Sequence, residues 1–354
     1  MNSIRNILLG AQETQCDPIA PEILASVESD VATSFGTVHD VQTLRVFAIR
    51  NPYSDVFQIR LQIGKTTGCA YLKVPHVTPA NQDKLQGRMR TEFEVMRTLT
   101  SKWSTNGPYG VVAPIAFYPD IPAIVTLEAL GRPLRERYST TARRFGLSAP
   151  RSELKECVRH CGLWLREFQQ LTSARVAPFD TEELLAYSEV RIELLAKDPH
   201  SGFSDALGKQ LVATVRTIAD SELAATTTAG RHNDFASHNI VSSGSGVRVI
   251  DFSMFDRGAT AYDPCNFWLE LEMLKYDWTY SRRFLDELQS VFLDSYGNID
   301  PGDAAFSVAR VRYSLNRLLT ALGASGGWRP DARYRRRAAE VSYDWLVHFA
   351  KHGK

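Results

Sequence analysis

The sequence lacks an excess of either charge, a disulfide framework and any long hydrophobic run. Lys and Arg total 41 against 40 Asp and Glu, a net charge of +1, which argues against a general binder of polyanions such as nucleic acid. Five cysteines are an odd number in a long chain of 354 residues, which does not indicate a disulfide framework. No apolar run approaches the ~20 residues that span a bilayer. We therefore expect no transmembrane segment and a location in the reducing cytoplasm.

The sequence has enough residues for two folded regions. Its length exceeds a single core of ~150 residues, and 44% hydrophobic with 23% charged residues is typical of globular proteins. Apolar residues alternate with polar ones over Val56–Ile63, a period of two that predicts a strand. A turn at Lys65–Gly68 and a return strand at Cys69–Val74 would complete a hairpin.

A change of pattern near Gly131 predicts the boundary between the regions. Between Asp83 and Leu99, apolar residues recur at spacings of three and four, the period of one helix face, and strands flank this helix. After Gly131 helical patterns dominate, interrupted by a short strand at Val247–Phe252. We predict an α+β fold, with a sheet-based N-terminal lobe over 1–130 and a larger helical lobe over 131–354.

The segment with the clearest chemical meaning is His232–Asn239, which follows the pattern H-x-D-x-x-x-x-N. Phosphoryl transfer needs a carboxylate that orients the attacking hydroxyl and accepts its proton, and Asp234 fits that role. Mg²⁺ on a triphosphate needs oxygen ligands, which Asn239 and Asp251, in the following Asp-Phe pair, would supply. The alternative is structural: Asp234 and Asn239 cap a turn, and Asp251 pairs with an arginine.

A strand lysine followed by a helix glutamate supports the chemical interpretation. A lysine that contacts the α- and β-phosphates and is held by a helix glutamate is the arrangement of protein kinases, and Lys73 with Glu92 fits it. Taken singly, each residue is also typical of a solvated surface. Glu94 competes with Glu92, which we prefer because Met96 and Leu99 follow it at i+4 and i+7 and place it beside the packed face.

Five segments resemble the aminoglycoside phosphotransferase/choline kinase family. They are YLKV at 71–74, TEFEVM at 91–96, LEALGRPL at 127–134, HNDFASHNI at 232–240 and VIDFS at 249–253. The resemblance covers roughly residues 40–350 and is strongest at 232–263. It implies the two-lobed protein-kinase-like fold, with ATP and Mg²⁺ as cofactors.

The resemblance also implies roles for single residues. Asp234 would be the catalytic base, Asn239 and Asp251 the Mg²⁺ ligands, and Lys73 with Glu92 would hold the phosphates. Backbone groups near 127–130 would contact the adenine. The candidate residues for this contact are Glu128 and Leu130. His232 and Asp263 would be structural supports of the catalytic loop.

Three positions depart from the family pattern. Asn233 stands where glycine is frequent, a mild change because asparagine tolerates unusual backbone angles. Ser253 replaces the glycine of the protein-kinase Asp-Phe-Gly triplet. The expected nucleotide-covering turn at 50–55 has no glycine, so that backbone contacts to phosphate are in doubt there and the hydroxyl of Ser54 is the candidate contact.

The acceptor is expected to be a hydroxyl of a small molecule or a glycan. No Ala-Pro-Glu segment or activation loop of a protein kinase follows Asp251. Residues 265–354 carry 11 Asp and Glu against 13 Lys and Arg, which disfavours a polycationic aminoglycoside. An arginine cluster within Arg329–Arg337 is either a solvated helix start or a contact for an anionic acceptor or membrane-surface glycolipid. The irregular segment Ser173–Ser204 is interpreted as an insertion or lid.

Three functional hypotheses stay open at this stage. The first is a small-molecule or sugar O-kinase, and the second is an aminoglycoside kinase that confers antibiotic resistance. The third is an inactive pseudokinase that binds nucleotide as a module, which the glycine-free turn at 50–55 favours. The oligomeric state is left open.

Overall fold

The structure of the protein is a computed structural model that describes residues 19–36, 41–104, 107–144, 150–172, 175–244, 246–297, 299–322 and 330–353, with the backbone alone at 330–334. The chain divides into two compact units. The first comprises Met1–Gly131 and Arg248–Met254, and the second comprises Arg132–Val247 and Phe255–Lys354. The short segment that contains Asp251 thus belongs to the first unit, although it is far away in sequence.

Among the described residues of 19–131, the first unit contains two helices and six strands. They are α1 (Pro21–Ser34), β1 (Val41–Arg50), β2 (Ser54–Ile63), β3 (Thr66–Pro75), α2 (Gln82–Lys102), β4 (Tyr109–Val111), β5 (Pro114–Tyr118) and β6 (Ala123–Leu127). Five of the strands form an antiparallel sheet in the order β1-β2-β3-β6-β5. The predicted strands and the predicted helix are confirmed, whereas α1 was not predicted.

The alternation of side chains along these strands explains where the core of the first unit lies. Ile59 and Leu61 on β2 are buried, as are Ala70 and Leu72 on β3, and they pack together in one apolar cluster. Lys73 follows Leu72, so that it points to the other face of the sheet. Its register opposite Val56 and Ile124 places it inside the sheet rather than at an edge.

The β2–β3 hairpin turns earlier than the sequence pattern predicts. The turn consists of Gly64 and Lys65, and β3 begins at Thr66. Gly64 has a φ of 56°, a left-handed conformation that glycine adopts without steric cost. The predicted turn at 65–68 was therefore wrong by about two residues, because the glycine that permits the turn is Gly64 and not Gly68.

The second unit is mainly helical. Its elements are β7 (Arg132–Pro133), α3 (Leu134–Thr141), α4 (Arg151–Leu171), β8 (Arg175–Ala177), α5 (Thr181–Lys197), α6 (Asp205–Glu222), β9 (Thr226–Arg231), β10 (Ile240–Ser243), β11 (Gly246–Val249, whose last two residues belong to the first unit), β12 (Asp256–Ala259), α7 (Tyr262–Leu274), α8 (Arg282–Tyr296), α9 (Ala304–Leu322) and α10 (Pro330–His352). Strands β12, β9 and β8 form an antiparallel sheet in that order.

The segment interpreted as a lid contains a packed core helix. Leu184, Leu185 and Leu195 of α5 are fully buried and belong to the main apolar cluster of the second unit. Each would lose roughly 1.5–3 kcal/mol of burial free energy if exposed, so that α5 is held in place. Residues 173 and 174 lie outside the described residues.

No helix in the described part of the chain combines the length and the apolarity needed to cross a bilayer.

Candidate active site

One candidate site in the first unit is a buried cluster of one lysine and two carboxylates. The ammonium Nζ of Lys73 lies 3.2 Å from both carboxylate oxygens of Glu92 and 2.7 Å from Oδ1 of Asp251. Glu92 comes from α2, where it shares the buried face with Met89 and Met96 and is 2% exposed. Three segments far apart in sequence thus meet at one ammonium group.

The alternative glutamate is not part of this cluster. Glu94 is two residues away on α2 and therefore faces another direction, where it pairs with Arg97 one turn later. The expectation that Glu92, and not Glu94, accompanies Lys73 agrees with this geometry. The structural alternative for Asp251, an arginine partner, does not, because its ion pair is with Lys73.

The carboxylates of this cluster hold Lys73 in its charged state, whereas burial raises the pKa of Glu92 above its ordinary value. Burial acts to lower the pKa of Lys73, but the carboxylates of Glu92 and Asp251 outweigh it and raise that pKa above its ordinary value. Lys73 is therefore a permanent cation at neutral pH. A fixed positive charge is what a phosphate-binding lysine requires.

Asp251 sits in a strained backbone conformation. Its φ is 65°, in the left-handed region that residues other than glycine rarely adopt. This conformation ends β11 at Val249 and turns the next amide, N of Phe252, toward Oε1 of Glu92 at 3.2 Å. The predicted strand Val247–Phe252 is therefore shorter than expected. Strain of this kind concentrates at functional sites, where the surrounding contacts over-determine it.

A second candidate site, in the second unit, is the loop between β9 and β10. Asp263, at the start of α7, accepts hydrogen bonds from the backbone N of His232 at 2.7 Å and of Asn233 at 2.8 Å. Asp263 is fully buried, and this burial raises its pKa, although the nearby His232 and the two amides oppose the shift. His232 is buried beside the rings of Trp164 and Phe235. Both residues lie where structural supports of the loop are expected.

Asn233 adopts the backbone conformation that its position demands. Its φ is 61°, and its amide Nδ2 donates to Oδ1 of Asp256 at 2.7 Å. Asparagine is one of the few residues that tolerate this left-handed region, as glycine does. The departure from glycine at this position is therefore compatible with the loop.

The carboxylate of Asp234 is oriented by two neighbours. Its Oδ2 accepts from Nδ2 of Asn239 at 2.8 Å and lies 3.1 Å from Nε2 of His238. Its side chain is 44% exposed, so that a substrate can reach it. The hydrogen bond to Asp234, with the charges of Asp234 and Glu270, raises the pKa of His238 even though burial opposes this. Asp234 and Asn239 are thus brought together, as their spacing in the motif predicts.

A buried arginine network supports the same loop. Arg231, the last residue of β9, is 2% exposed and binds both oxygens of Glu183 and both of Asp256. Arg312 on α9 binds the same Glu183 at 3.1 Å. Because Glu183 belongs to α5, this network ties α5 to the loop. Sequence reasoning missed it, since the four charges lie on separate elements.

The other residues predicted to contact ATP lie in the first unit. Ser54 opens β2 and is partly buried, Glu128 donates its backbone N to O of Cys69 at 3.0 Å, and Leu130 is 72% exposed. Their contacts to ATP stay predictions. Of the arginine cluster, Arg329 lies outside the described residues, and Arg337 pairs with Glu340 on the surface.

A cavity of about 350 Å³ opens beside Asp234 in the second unit. Glu270 of α7 lines it and also accepts hydrogen bonds from the backbone N and the hydroxyl of Ser237. We did not predict Glu270. The available signal was that Asn266 and Glu270 follow Asp263 at i+3 and i+7, which places three polar residues on one face of this mostly apolar helix.

Comparison with known proteins identifies the family. The family model described as the phosphotransferase enzyme family matches residues 85–307, well over half of the chain, and the chain therefore belongs to that family. This confirms the family that the sequence motifs predict. No curated protein matches the chain at a comparable level of significance.

Solved structures share the fold at low sequence identity. A putative aminoglycoside phosphotransferase from Ralstonia eutropha JMP134 superposes with a TM-score of 0.60 at 12% identity, over 92% of this chain and 98% of that chain. Glucosamine kinase, with glucosamine, ADP and inorganic phosphate, gives 0.53 at 14%, over 92% and 82%. The streptomycin–ATP complex of APH(2")-IIa gives 0.51 at 16%, over 86% and 91%. The predicted α+β, protein-kinase-like fold class is confirmed.

Proposed function

We propose that the protein is an ATP- and Mg²⁺-dependent O-phosphotransferase that moves the γ-phosphate of ATP to a hydroxyl of a small molecule or sugar. The observation that carries the proposal is the pair of sites described above, each with the side chains that phosphoryl transfer needs. Membership of a phosphotransferase family supports the same chemistry. The solved relatives with glucosamine and ADP or with streptomycin and ATP support a small acceptor and an adenine nucleotide.

In this proposal the Lys73 cluster binds the nucleotide phosphates. The ammonium of Lys73 neutralises phosphate oxygens, and Glu92 fixes its position through the contacts at 3.2 Å. Both α2 and β3 are regular elements with buried faces, so that the charge is preorganised before the nucleotide arrives. Such positioning, rather than covalent chemistry, supplies most of the rate in phosphoryl transfer.

Asp234 orients the acceptor. Its carboxylate accepts a hydrogen bond from the acceptor hydroxyl and takes the proton as the new oxygen–phosphorus bond forms and the bond to the departing ADP breaks. The hydrogen bond from Nδ2 of Asn239 aims this carboxylate. The exposed side of the carboxylate faces the cavity of about 350 Å³, which is at the lower end of the roughly 300–1,000 Å³ of small-molecule sites.

The residues present fit a magnesium ion that is bound mainly by nucleotide phosphates. Asn239 uses its amide nitrogen on Asp234, so that its carbonyl oxygen is the atom left for a metal, and the carboxylate of Asp251 is 39% exposed. Within the described residues no three His, Cys, Asp or Glu side chains form a metal cage. Mg²⁺ suits ligands of both kinds, because it takes few protein ligands and keeps phosphates and waters. When bound, it would neutralise the developing charge on the phosphates.

The decisive experiment replaces the proposed base. Turnover is first located by transfer of label from ATP over a panel of sugars, amino alcohols and aminoglycosides. We then expect Asp234→Asn to lower kcat about 10²–10⁴-fold while Mg-ATP still raises the melting temperature. Asp220→Asn, an exposed aspartate on α6, is the matched control. Undiminished turnover by Asp234→Asn would reject the assignment.

The alternative functions are separated by the same panel. A pseudokinase would bind Mg-ATP without phosphorylating any acceptor, and the intact cluster of Lys73, Glu92 and Asp251 weighs against it. An aminoglycoside kinase would turn over the polycationic members. Contact with a membrane glycolipid stays a prediction, which no observation on the described arginines favours.

A further inference from the structure

The charged side chains that line the cavity beside Asp234 differ in whether they already have hydrogen-bond partners in the protein. Four formally charged side chains line it: Asp234, Glu270, Arg317 and Arg335. The two carboxylates already accept hydrogen bonds from the protein, Asp234 from Asn239 and Glu270 from the Ser237 hydroxyl. A ligand therefore meets two carboxylates that each already have a protein partner.

Arg317 differs from the other arginines of α9. Arg312 binds Glu183, and Arg310, whose Nε likewise has no hydrogen-bond partner among the described residues, stacks its guanidinium over the ring of Trp345 at 4.3 Å. The Nε of Arg317 is shielded from solvent and has no hydrogen-bond partner within the described residues. None of the ion pairs found in that part of the chain involves Arg317 either. A shielded Nε–H group without an acceptor is costly, because its desolvation is not compensated.

A second unpartnered group lies one turn away on the same face of α9. Tyr313 precedes Arg317 at i−4 and also lines the cavity. Its side chain is 6% exposed, and its hydroxyl has no hydrogen-bond partner among the residues that the structure describes. Buried polar groups of native proteins are normally satisfied, so that an orphaned hydroxyl and an orphaned guanidinium Nε that line one cavity indicate a missing ligand.

We propose that the phosphate acceptor carries an anionic group, and that Arg317 and Tyr313 bind this group while Asp234 receives the reactive hydroxyl. The acceptor would be a hydroxylated carboxylic acid or a compound that is already phosphorylated. A guanidinium suits both, because it donates two parallel hydrogen bonds to a carboxylate or phosphate. The inference rests on the proposed function, and it makes Arg317 a determinant of specificity.

The first test compares acceptors that share a skeleton and differ in charge. Glucosamine, glucose, glucuronate and glucose 1-phosphate form one set, and 3-amino-1,2-propanediol, glycerol, glycerate and glycerol 3-phosphate form another. We expect the best kcat/KM to belong to an acidic member, and the choice between glucuronate or glycerate and the phosphate esters identifies the anion. A best acceptor that is neutral or cationic would overturn the inference and leave the kinase assignment intact.

The second test removes the guanidinium. We expect Arg317→Gln to raise KM for the acidic acceptor about 10- to 100-fold, with a much smaller change in kcat, and Arg317→Lys to recover part of the loss. Arg336→Gln, an exposed arginine that does not line this cavity, is the matched control. An unchanged KM in Arg317→Gln overturns the inference, provided that the melting temperature and the response to Mg-ATP show a folded enzyme.

A binding measurement separates this inference from the proposed function. If no acceptor in the panel is phosphorylated, calorimetric titration of the wild type with glucuronate, glycerate and the two phosphate esters still reports on Arg317. Binding by at least one acidic compound that Arg317→Gln abolishes supports the anion site even though catalysis has failed. Absence of binding by all four acidic compounds overturns it.

Discussion

The Lys73 cluster and the Asp234 loop differ in the sequence separation of their residues and in their exposure to solvent. The cluster joins charges that lie up to 178 positions apart in sequence, and its Glu92 is 2% exposed. The loop holds Asp234 with neighbours four and five residues away and leaves its side chain 44% exposed. In the proposed function, a group that binds the highly charged phosphates benefits from burial, whereas a base that receives different acceptors must stay open.

The two sites are stabilised by different interactions. The loop is short and local, and it depends on one buried carboxylate, Asp263, which binds the backbone of His232 and Asn233. The cluster depends on mutual charge compensation among its three members. Mutations that act on these features should therefore affect the two regions to different extents.

The largest effect is expected from removal of the buried anchor of the loop. Asp263→Ala leaves one buried and one partly buried backbone N–H group without an acceptor and should cost about 2–5 kcal/mol of unfolding free energy. Asp263→Asn keeps one acceptor and should cost less. Urea unfolding measures both variants, and an unchanged midpoint for Asp263→Ala would contradict the role of this residue.

A smaller effect is expected in the cluster, because Lys73 keeps one partner. Glu92→Gln removes one of two negative charges near Lys73 and should cost about 1–2 kcal/mol of stability and weaken Mg-ATP binding. Glu94→Gln is the matched control on the same helix, and its loss should stay below about 0.5 kcal/mol because its ion pair is exposed. Equal effects of the two changes in calorimetric titrations with Mg-ATP would refute the assignment of Glu92.

The backbone strain at Asn233 offers a more subtle comparison. Asn233→Ala and Asn233→Gly both lose the hydrogen bond to Asp256, so that they differ only in their tolerance of a φ of 61°. We expect the alanine variant to be less stable than the glycine variant by about 1 kcal/mol. Identical melting temperatures would show that the loop relaxes out of the left-handed conformation.

The smallest effect concerns the pH dependence of the Asp234 loop. The pKa of His238 is raised in the folded state, chiefly by the hydrogen bond to Asp234. The stability that this pair contributes is therefore fully present below the unfolded-state pKa of His238 and is lost as pH rises through the folded-state pKa. NMR titration of His238 should show its pKa falling toward the ordinary value in Asp234→Asn. A pKa that does not move would exclude the pairing.

Much of the fold could be predicted because periodicity is a local property. The alternation at Val56–Ile63 and the helical spacing at Asp83–Leu99 each report one buried face. Helix α5 was misjudged because its buried residues, such as Leu184 and Leu195, pack against elements that the local pattern does not reveal. The hairpin turn was misplaced because a left-handed φ at Gly64 depends on the register of both strands.

The site could be predicted in part for the same reason. Asp234 and Asn239 lie five residues apart in one loop, and their spacing alone brings them together. The network of Arg231, Glu183 and Arg312 could not be predicted, because its members are separated by up to 129 positions and no local pattern links them. The same holds for Glu270, whose partner Ser237 lies on another element.

By itself, the sequence determined the family, the fold class and the order of the chemical groups, because motifs and periodicities depend on residues that are close along the chain. The tertiary structure decided which of those groups are paired. It joined Lys73 to both Glu92 and Asp251, gave each carboxylate beside the cavity a protein partner, and left the Nε of Arg317 without a hydrogen-bond partner among the residues that the structure describes. Pairing depends on burial and on contacts between distant segments, and burial sets how strongly a charge needs a partner.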